Sequence, residues 1–313
     1  MAVHNQTHNQ VLRPGNLSEL FSLWNRFPQA VPYAGGTELM RSGSDPGGAR
    51  GIFREQPELP EIILSLEKIE ELRGITRTER YLEIGAMVRL GEIIALGKIV
   101  PHAFSRTIQG IAGPMVQNIA TIGGNICSEG DTMTPLCALD AVFELRNTGG
   151  SRWISALRYA SLPENLQKGE LLTRIRIPLE AWNYTVYRKF SDSGSGEERG
   201  VLILVVQNQK NLLSNINVIF SGPASKEQRL PAGEAHILQA DSPAFSAKKQ
   251  SVLLRDKDSE AFLKGKSLPL DRRDAGHYRK FWEAYLDSLK YPGPLLREKI
   301  LNAIEMGIVS LSD

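Results

Sequence analysis

The chain has 313 residues, with 37 Lys and Arg against 35 Asp and Glu, a net charge of +2, and 42% hydrophobic and 23% charged residues. That balance belongs to a globular protein and leaves no strong field for nucleic acid or an acidic membrane surface. The length exceeds one typical domain and predicts two or three subdomains around a sizeable core.

The chain opens on the polar Met1-Ala2-Val3-His4-Asn5-Gln6, with no apolar signal region. Asn16 or Ser18 then caps a predicted helix whose apolar face holds Leu17, Leu20, Phe21, Leu23 and Trp24. Ala30-Val31 form a short strand feeding Tyr33-Ala34-Gly35-Gly36-Thr37-Glu38-Leu39, and Glu38-Leu39-Met40 open a helical turn. In this strand–turn–helix order a helix N-terminus, whose dipole favours negative charge, lies beside any ligand held by the glycines. Ser42–Glu58 is rich in Gly, Pro and charge and reads as a surface loop. Ile62–Leu66 is a strand, Ile75 and Tyr81–Gly85 mark two more, and Val88–Leu96 and Pro101–Ile111 are helices. Pro135–Leu145 reads as a helix or a strand, and Arg152–Ile154 and Leu171–Ile177 are strands. Mixed elements with short connections indicate an α+β fold. After Pro178, Tyr184–Phe190, Val201–Gln207 and Ile216–Ser221 predict a three-stranded antiparallel meander, with a polar turn over Ser191–Gly200. The longest conspicuous apolar run, Val201–Val206, reads as a buried strand and is far short of a membrane span, so a cytoplasmic protein is expected. Beyond about residue 231 helical patterns dominate, ending in Tyr278–Leu289 and Leu295–Val309.

The chain is organised around Thr121-Ile122-Gly123-Gly124-Asn125, entered through Ile111-Ala112-Gly113-Pro114-Met115-Val116-Gln117-Asn118-Ile119-Ala120. Glycine lacks a Cβ, takes positive φ and lets the backbone approach a ligand closely. Such a turn can gather N–H groups around a phosphate, with Thr121 and Asn125 adding side-chain donors; a plain tight turn is the other reading. The Gly35-Gly36-Thr37 stretch repeats this chemistry, and two such turns can grip a diphosphate from opposite sides. Neither is a GxxxxGK(S/T) or GxGxxG pattern. Cys127 and Cys137 are too few for an iron–sulfur cluster and read as small, buried, reduced residues. His4, His8, His102, His236 and His277 are scattered, and no paired-carboxylate, GxSxG or metal-ligand pattern stands out.

The first glycine stretch resembles the AGGT(D/N)L motif, and IAGPMVQNIATIGGNI resembles the IAGPQIRNxATIGGN motif, of the FAD-binding subunits of molybdenum hydroxylases. Those are the medium subunits of xanthine and carbon monoxide dehydrogenases. EIILSLEKIEELRGI, PLCALDAVFEL and GELLTRIRIP resemble further segments of that family, so the likeness is strong over about residues 10–180 and weaker to the C-terminus.

The resemblance implies a two-part FAD-binding domain of the vanillyl-alcohol-oxidase (PCMH) type: an α/β unit over residues 1–60 and an α+β unit over 61–179. A C-terminal domain over 180–313 then carries the three-stranded antiparallel sheet and helices. It further implies FAD contacts at Val31, Pro32, Tyr33, Ala34, Gly35, Gly36, Thr37 and Glu38 and at Thr121, Ile122, Gly123, Gly124 and Asn125. Asp131 matches an acidic position near the ribityl and ribose hydroxyls, Leu172 an apolar position beside the cofactor, and Lys189 a YxK position close to the flavin. The implied partners are an iron–sulfur subunit, whose 2Fe–2S clusters deliver electrons, and a large molybdopterin subunit; NAD+ or another acceptor takes the electrons on. The sequence departs from the family at Asn125–Thr132, shorter by about three residues than the family pattern, at Gln117, where arginine is usual, and in the Ser191–Gly200 turn. These departures keep open a family member that has lost flavin and serves as a scaffold.

Overall fold

The structure is a computed structural model that describes residues 9–41, 59–162, 166, 169–191, 198–223, 236–238, 251–268, 270–288 and 294–312. The loop expected over 42–58 and most of the turn expected over 191–200 lie outside the described residues.

The first unit runs β1 (Gln10–Leu12), α1 (Leu17–Arg26), β2 (Val31–Tyr33), α2 (Thr37–Arg41) and β3 (Ile62–Ser65). Its three strands pair in parallel in the order β1-β3-β2. The Asn16 side chain caps α1 by accepting the Glu19 N–H at 2.9 Å, and Leu17, Leu20 and Phe21 carry the buried stripe.

The second unit contains β4 (Ile75–Arg77), β5 (Tyr81–Gly85), α3 (Leu90–Ala95), α4 (His102–Gln109), α5 (Pro114–Gln117), α6 (Ile122–Cys127) and α7 (Met133–Ala138). It continues with β6 (Val142–Asn147), β7 (Gly150–Ser155), α8 (Ala156–Ala160) and β8 (Leu171–Pro178). The ambiguous Pro135–Leu145 stretch is therefore a helix followed by a strand. The five strands form an antiparallel sheet in the order β4-β5-β8-β6-β7. One face buries Leu82, Ile84, Phe143, Leu145, Ile175 and Ile177 in the main core. The other carries charge. Glu83 lies directly across from Arg176, and Glu144 across from Arg174. Arg174 bridges both carboxylates, at 2.9 Å to Glu83 and 2.7 Å to Glu144, and Arg176 sits between the Tyr81 and Trp153 rings at 4.5 and 4.1 Å from their centroids. Burial on its own raises the Glu83 and Glu144 carboxyls, but hydrogen bonds from these arginines outweigh it and hold both below their ordinary value.

The third unit has β9 (Tyr184–Ser191), β10 (Glu198–Gln209), β11 (Leu212–Pro223), β12 (His236–Leu238), β13 (Ser251–Leu254), α9 (Lys257–Leu263), α10 (Arg272–Ser288) and α11 (Pro294–Val309). Its sheet is antiparallel, as expected, but it is wider than the predicted meander: β13 joins β11, and the short β12 adds an edge, in the order β12-β13-β11-β10-β9. Beyond residue 231, where helical patterns are expected to dominate, these two short strands precede the three helices α9, α10 and α11.

Strand β10 explains its own sequence. Val201, Ile203 and Val205 face the core of the second unit, while Leu202, Leu204 and Val206 pack against Tyr278, Trp282, Ile300, Leu301 and Ile304 of α10 and α11. A strand buried on both faces reads as an unbroken apolar run rather than an alternation. Each such side chain contributes about 1.5–3 kcal/mol by burial. Among the described residues, no helix is long and apolar enough to cross a membrane.

Candidate functional site

The parallel β2 delivers Ala34-Gly35-Gly36 at its C-terminal end, and α2 begins at Thr37, in the expected strand–turn–helix order. Gly36 has φ +70°, a left-handed conformation that strains any residue with a Cβ. The Tyr33 ring folds over it, so that a Cβ at Gly36 lies 2.0 Å from the Tyr33 hydroxyl. Among the described residues, the backbone N–H groups of Gly35, Gly36 and Thr37 donate to no protein acceptor. Three successive free donors around a left-handed glycine are a pattern that can gather around an anion. Val31, Pro32, Tyr33, Ala34 and Glu38 are all half-buried around it.

The second motif differs from the turn predicted. Thr121 caps α6, its hydroxyl oxygen accepting the Gly124 N–H at 3.1 Å, and both glycines lie in the helix without positive φ. The N–H groups from Ile122 to Asn125 are already used: besides that of Gly124, Ile122 donates to Val88 O and Gly123 to Ala86 O, both at 2.9 Å, and Asn125 to Thr121 O at 2.9 Å. Gly123 is there for close packing, since a Cβ on it lies 2.7 Å from the Ala86 Cβ. The donor cradle therefore belongs to the first motif alone, and the second supplies shape.

The two motifs touch. A Cβ on Gly35 lies 2.2 Å from the Ile119 carbonyl oxygen, and one on Gly124 lies 3.9 Å from the Ala34 Cβ. Two glycine stretches more than eighty residues apart in sequence thus meet backbone to backbone, which requires glycine at Gly35.

The shortened segment after α6 is fixed by its own polar bonds. Asn125 Oδ1 accepts from Thr132 N at 3.2 Å and from the Thr132 hydroxyl at 2.6 Å, so the oxygen of this amide pins the loop that carries Asp131. Asp131 pairs with Lys189 of β9 at 2.9 Å, and the same ammonium donates to Gly110 O at 3.3 Å. No sequence signal linked these two residues, which lie on different units. Leu172 is 2% exposed and lies in the main core with Ile122 and Ile126 of α6. Gln117 is buried, and its Nε2 donates to Ile111 O at 2.9 Å and Ala112 O at 3.3 Å, fixing the corner where Ala112 takes φ +50°. At the position where the family usually has arginine, this side chain is spent on backbone carbonyls.

Neither cysteine is in a disulfide: Cys137 is buried and Cys127 half-buried, with the Tyr159 hydroxyl 3.8 Å from its sulfur. Burial pushes the Cys137 thiol and the Tyr159 phenol well above their ordinary values, so both stay protonated.

Comparison with known proteins bears on this geometry. Residues 6–180 match the family described as the FAD binding domain in molybdopterin dehydrogenase. The glyceraldehyde dehydrogenase medium chain of Sulfolobus acidocaldarius is 29% identical over 190 residues, covering 57% of this chain and 66% of that one. A xanthine dehydrogenase FAD-binding subunit of Escherichia coli is 28% identical over 174 residues, covering 53% and 56%. The match thus spans between about half and two thirds of these relatives. In fold, the chain is similar to a chain in the crystal structure of the Cu,Mo-CO dehydrogenase, with TM-score 0.70, 19% identity and 97% of each chain covered. The family match covers both glycine motifs and Asp131, and ends before Lys189. On that match the chain belongs to the family of FAD-binding domains of molybdopterin dehydrogenases.

Proposed function

We propose that this chain binds FAD at the contact between the Gly35–Thr37 cradle and the start of α6. In this reading it is the electron-transfer subunit of a xanthine dehydrogenase-like molybdenum hydroxylase. Electrons come from the 2Fe–2S clusters of an iron–sulfur subunit and leave for NAD+ or another acceptor, while a large molybdopterin subunit hydroxylates the substrate. The observation that carries the reading is the run of three free N–H donors at Gly35, Gly36 and Thr37, bounded by the second glycine motif. A diphosphate offers acceptors to such donors, and these charge-assisted bonds are worth roughly 1.5–3 kcal/mol each. The flavin supplies the redox chemistry when bound. The protein's own residues place it: Asp131 accepts from cofactor hydroxyls, Lys189 orients Asp131, and Leu172 backs the site from the core. The boundaries 1–60, 61–179 and 180–313, with the first unit extended to take in β3 at Ile62–Ser65, divide the site between two units, with the third closing it through Lys189. A cytoplasmic location fits this role.

Because the second motif has spent its N–H groups from Ile122 to Asn125 and the following loop is short, the isolated chain is expected to purify partly or wholly without flavin. Calorimetric titration with FAD should then show saturable binding, with ADP competing far better than AMP because the cradle grips a diphosphate. No heat from FAD at any concentration rejects the site and favours the scaffold reading. The partners are tested separately, by purification from the native source. Two further chains, one carrying iron–sulfur clusters and one molybdopterin, should travel with this one; a catalytically complete single chain contradicts the assignment.

A further inference from the structure

Helix α7 links the Asp131 loop to Asp140, and the C-terminal sheet holds it at three levels. Before its first turn, Lys189 of β9 binds Asp131. Within that turn, the Thr134 and Ser221 hydroxyls share a hydrogen bond at 2.6 Å. At its C-terminal end, Asn217 of β11 donates to Ala138 O at 2.7 Å and to Asp140 Oδ2 at 3.1 Å.

Arg255, just after β13, ties this last level together. It donates to Asp140 Oδ1 at 3.1 Å, to Asn217 Oδ1 at 2.6 Å, and through Nε to Glu260 at 3.0 Å, while Glu260 also accepts the Val218 N–H at 2.9 Å. Asn217 and Glu260 are 1% and 3% exposed, and Asp140 takes φ +52° at the end of α7. A guanidinium fork meets three acceptors from three segments here, a geometry lysine cannot reproduce.

We propose that Arg255 is a positioning residue for the cofactor site: by fixing the C-terminal end of α7 it sets the place of Asp131 at the other end. This rests on the FAD reading above. A six-residue helix is about 9 Å long and moves as a rigid body, so slack at Asp140 appears at Thr132 and Asp131. Asn125 holds the same loop from the glycine side, so a shift of α7 must be absorbed between Thr132 and Lys189. The cofactor site is then completed by a residue outside the part of the chain that the family match covers.

The test uses the full chain and its variants Arg255→Met, Arg255→Lys and Arg279→Met. Arg279 ties α10 to α11 through Asn302, Glu298 and Glu305 in the same C-terminal domain, away from α7, and serves as the control for general loss of stability. Arg255→Met is expected to weaken FAD binding roughly five- to tenfold, Arg255→Lys less, and Arg279→Met not at all. In an Asp131→Asn background Arg255→Met should add little, because its effect passes through Asp131. Amide hydrogen exchange without ligand gives a readout independent of FAD: residues 128–132 should exchange faster in Arg255→Met and unchanged in Arg279→Met. Should the wild type fail to bind FAD, the proposed function falls and hydrogen exchange alone decides this inference. Unchanged exchange in that loop overturns it. So does an Arg279→Met variant that loosens the loop or weakens FAD binding as much as Arg255→Met. If Arg255→Met does not fold, the same comparison is made with Arg255→Lys.

Discussion

Replacing Gly35 by alanine is expected to abolish most FAD binding, and to do so more completely than the same change at Gly36 or Gly124. The added methyl lies 2.2 Å from the Ile119 carbonyl oxygen and 3.2 Å from the Ala120 Cα. Both are backbone, so no rotamer change relieves the overlap and the two motifs must move apart. Overpacking of this kind costs about 1–3 kcal/mol, and occasionally more. Because that cost falls on the contact that forms the site, affinity should drop by about ten- to a hundredfold. At Gly36 the obstacle is the tip of the flexible Tyr33 side chain, which can swing away, leaving about 1–2 kcal/mol for the left-handed φ. At Gly124 the nearest atom is the Thr121 hydroxyl oxygen at 2.9 Å, which can yield by rotation. The expected order of lost affinity is Gly35→Ala, then Gly36→Ala, then Gly124→Ala, read by titration with circular dichroism confirming the fold. Wild-type affinity in Gly35→Ala removes the contact between motifs from any role in binding.

The second large effect concerns stability. Glu144 is 4% exposed, and its carboxylate is held by Arg174 through Nε at 2.7 Å and a second guanidinium nitrogen at 3.1 Å, with the Thr173 hydroxyl at 2.7 Å. Arg174→Met leaves that charge with the hydroxyl alone. Removing one partner of a fully buried pair costs about 3–5 kcal/mol; since Arg174 is itself 41% exposed, water compensates in part and about 2 kcal/mol is expected. In the wild type the folded Glu144 carboxyl titrates below its unfolded value, so its contribution is fully present above about pH 4.3 and is lost as pH falls through the folded value. In the variant, burial without the arginine raises the folded value instead. The stability deficit should therefore be greatest at neutral pH and shrink at an acid pH below the folded wild-type value, where the carboxyl is protonated in both states. Urea unfolding at the two pH values measures it, and a deficit independent of pH assigns the loss to packing of the arginine stem.

Much of the chain was legible from local pattern. Asn16 and the Leu17, Leu20, Phe21 stripe mark α1 because a cap and a 3.6-residue period are both written in sequence. Val201–Val206 announces β10 because burial on two faces demands apolar residues at every position. The misses have physical causes. Thr121-Ile122-Gly123-Gly124-Asn125 read as a turn because Gly-Gly usually supplies positive φ, whereas here the absent side chains make room for Ala86 and the capping hydroxyl of Thr121. Strand β13 is only four residues long and runs almost directly into α9, so its Val252-Leu253-Leu254 merges with a helical pattern. The Lys189–Asp131 pair and the Arg255 cluster join residues 58 and 115 positions apart, and nothing in either segment specifies its distant partner.

The two-faced burial of β10 also bears on synthesis of the chain. The Val201, Ile203, Val205 face meets its cover in segments already made, but the Leu202, Leu204, Val206 face waits for α10 and α11, which end roughly a hundred residues later. At ribosomal rates of about 5–20 residues per second, that interval lasts about 5–20 s. During it, a nascent chain holding the rest of the fold presents a bare apolar wall, and the last two helices act as the lid that ends its exposure.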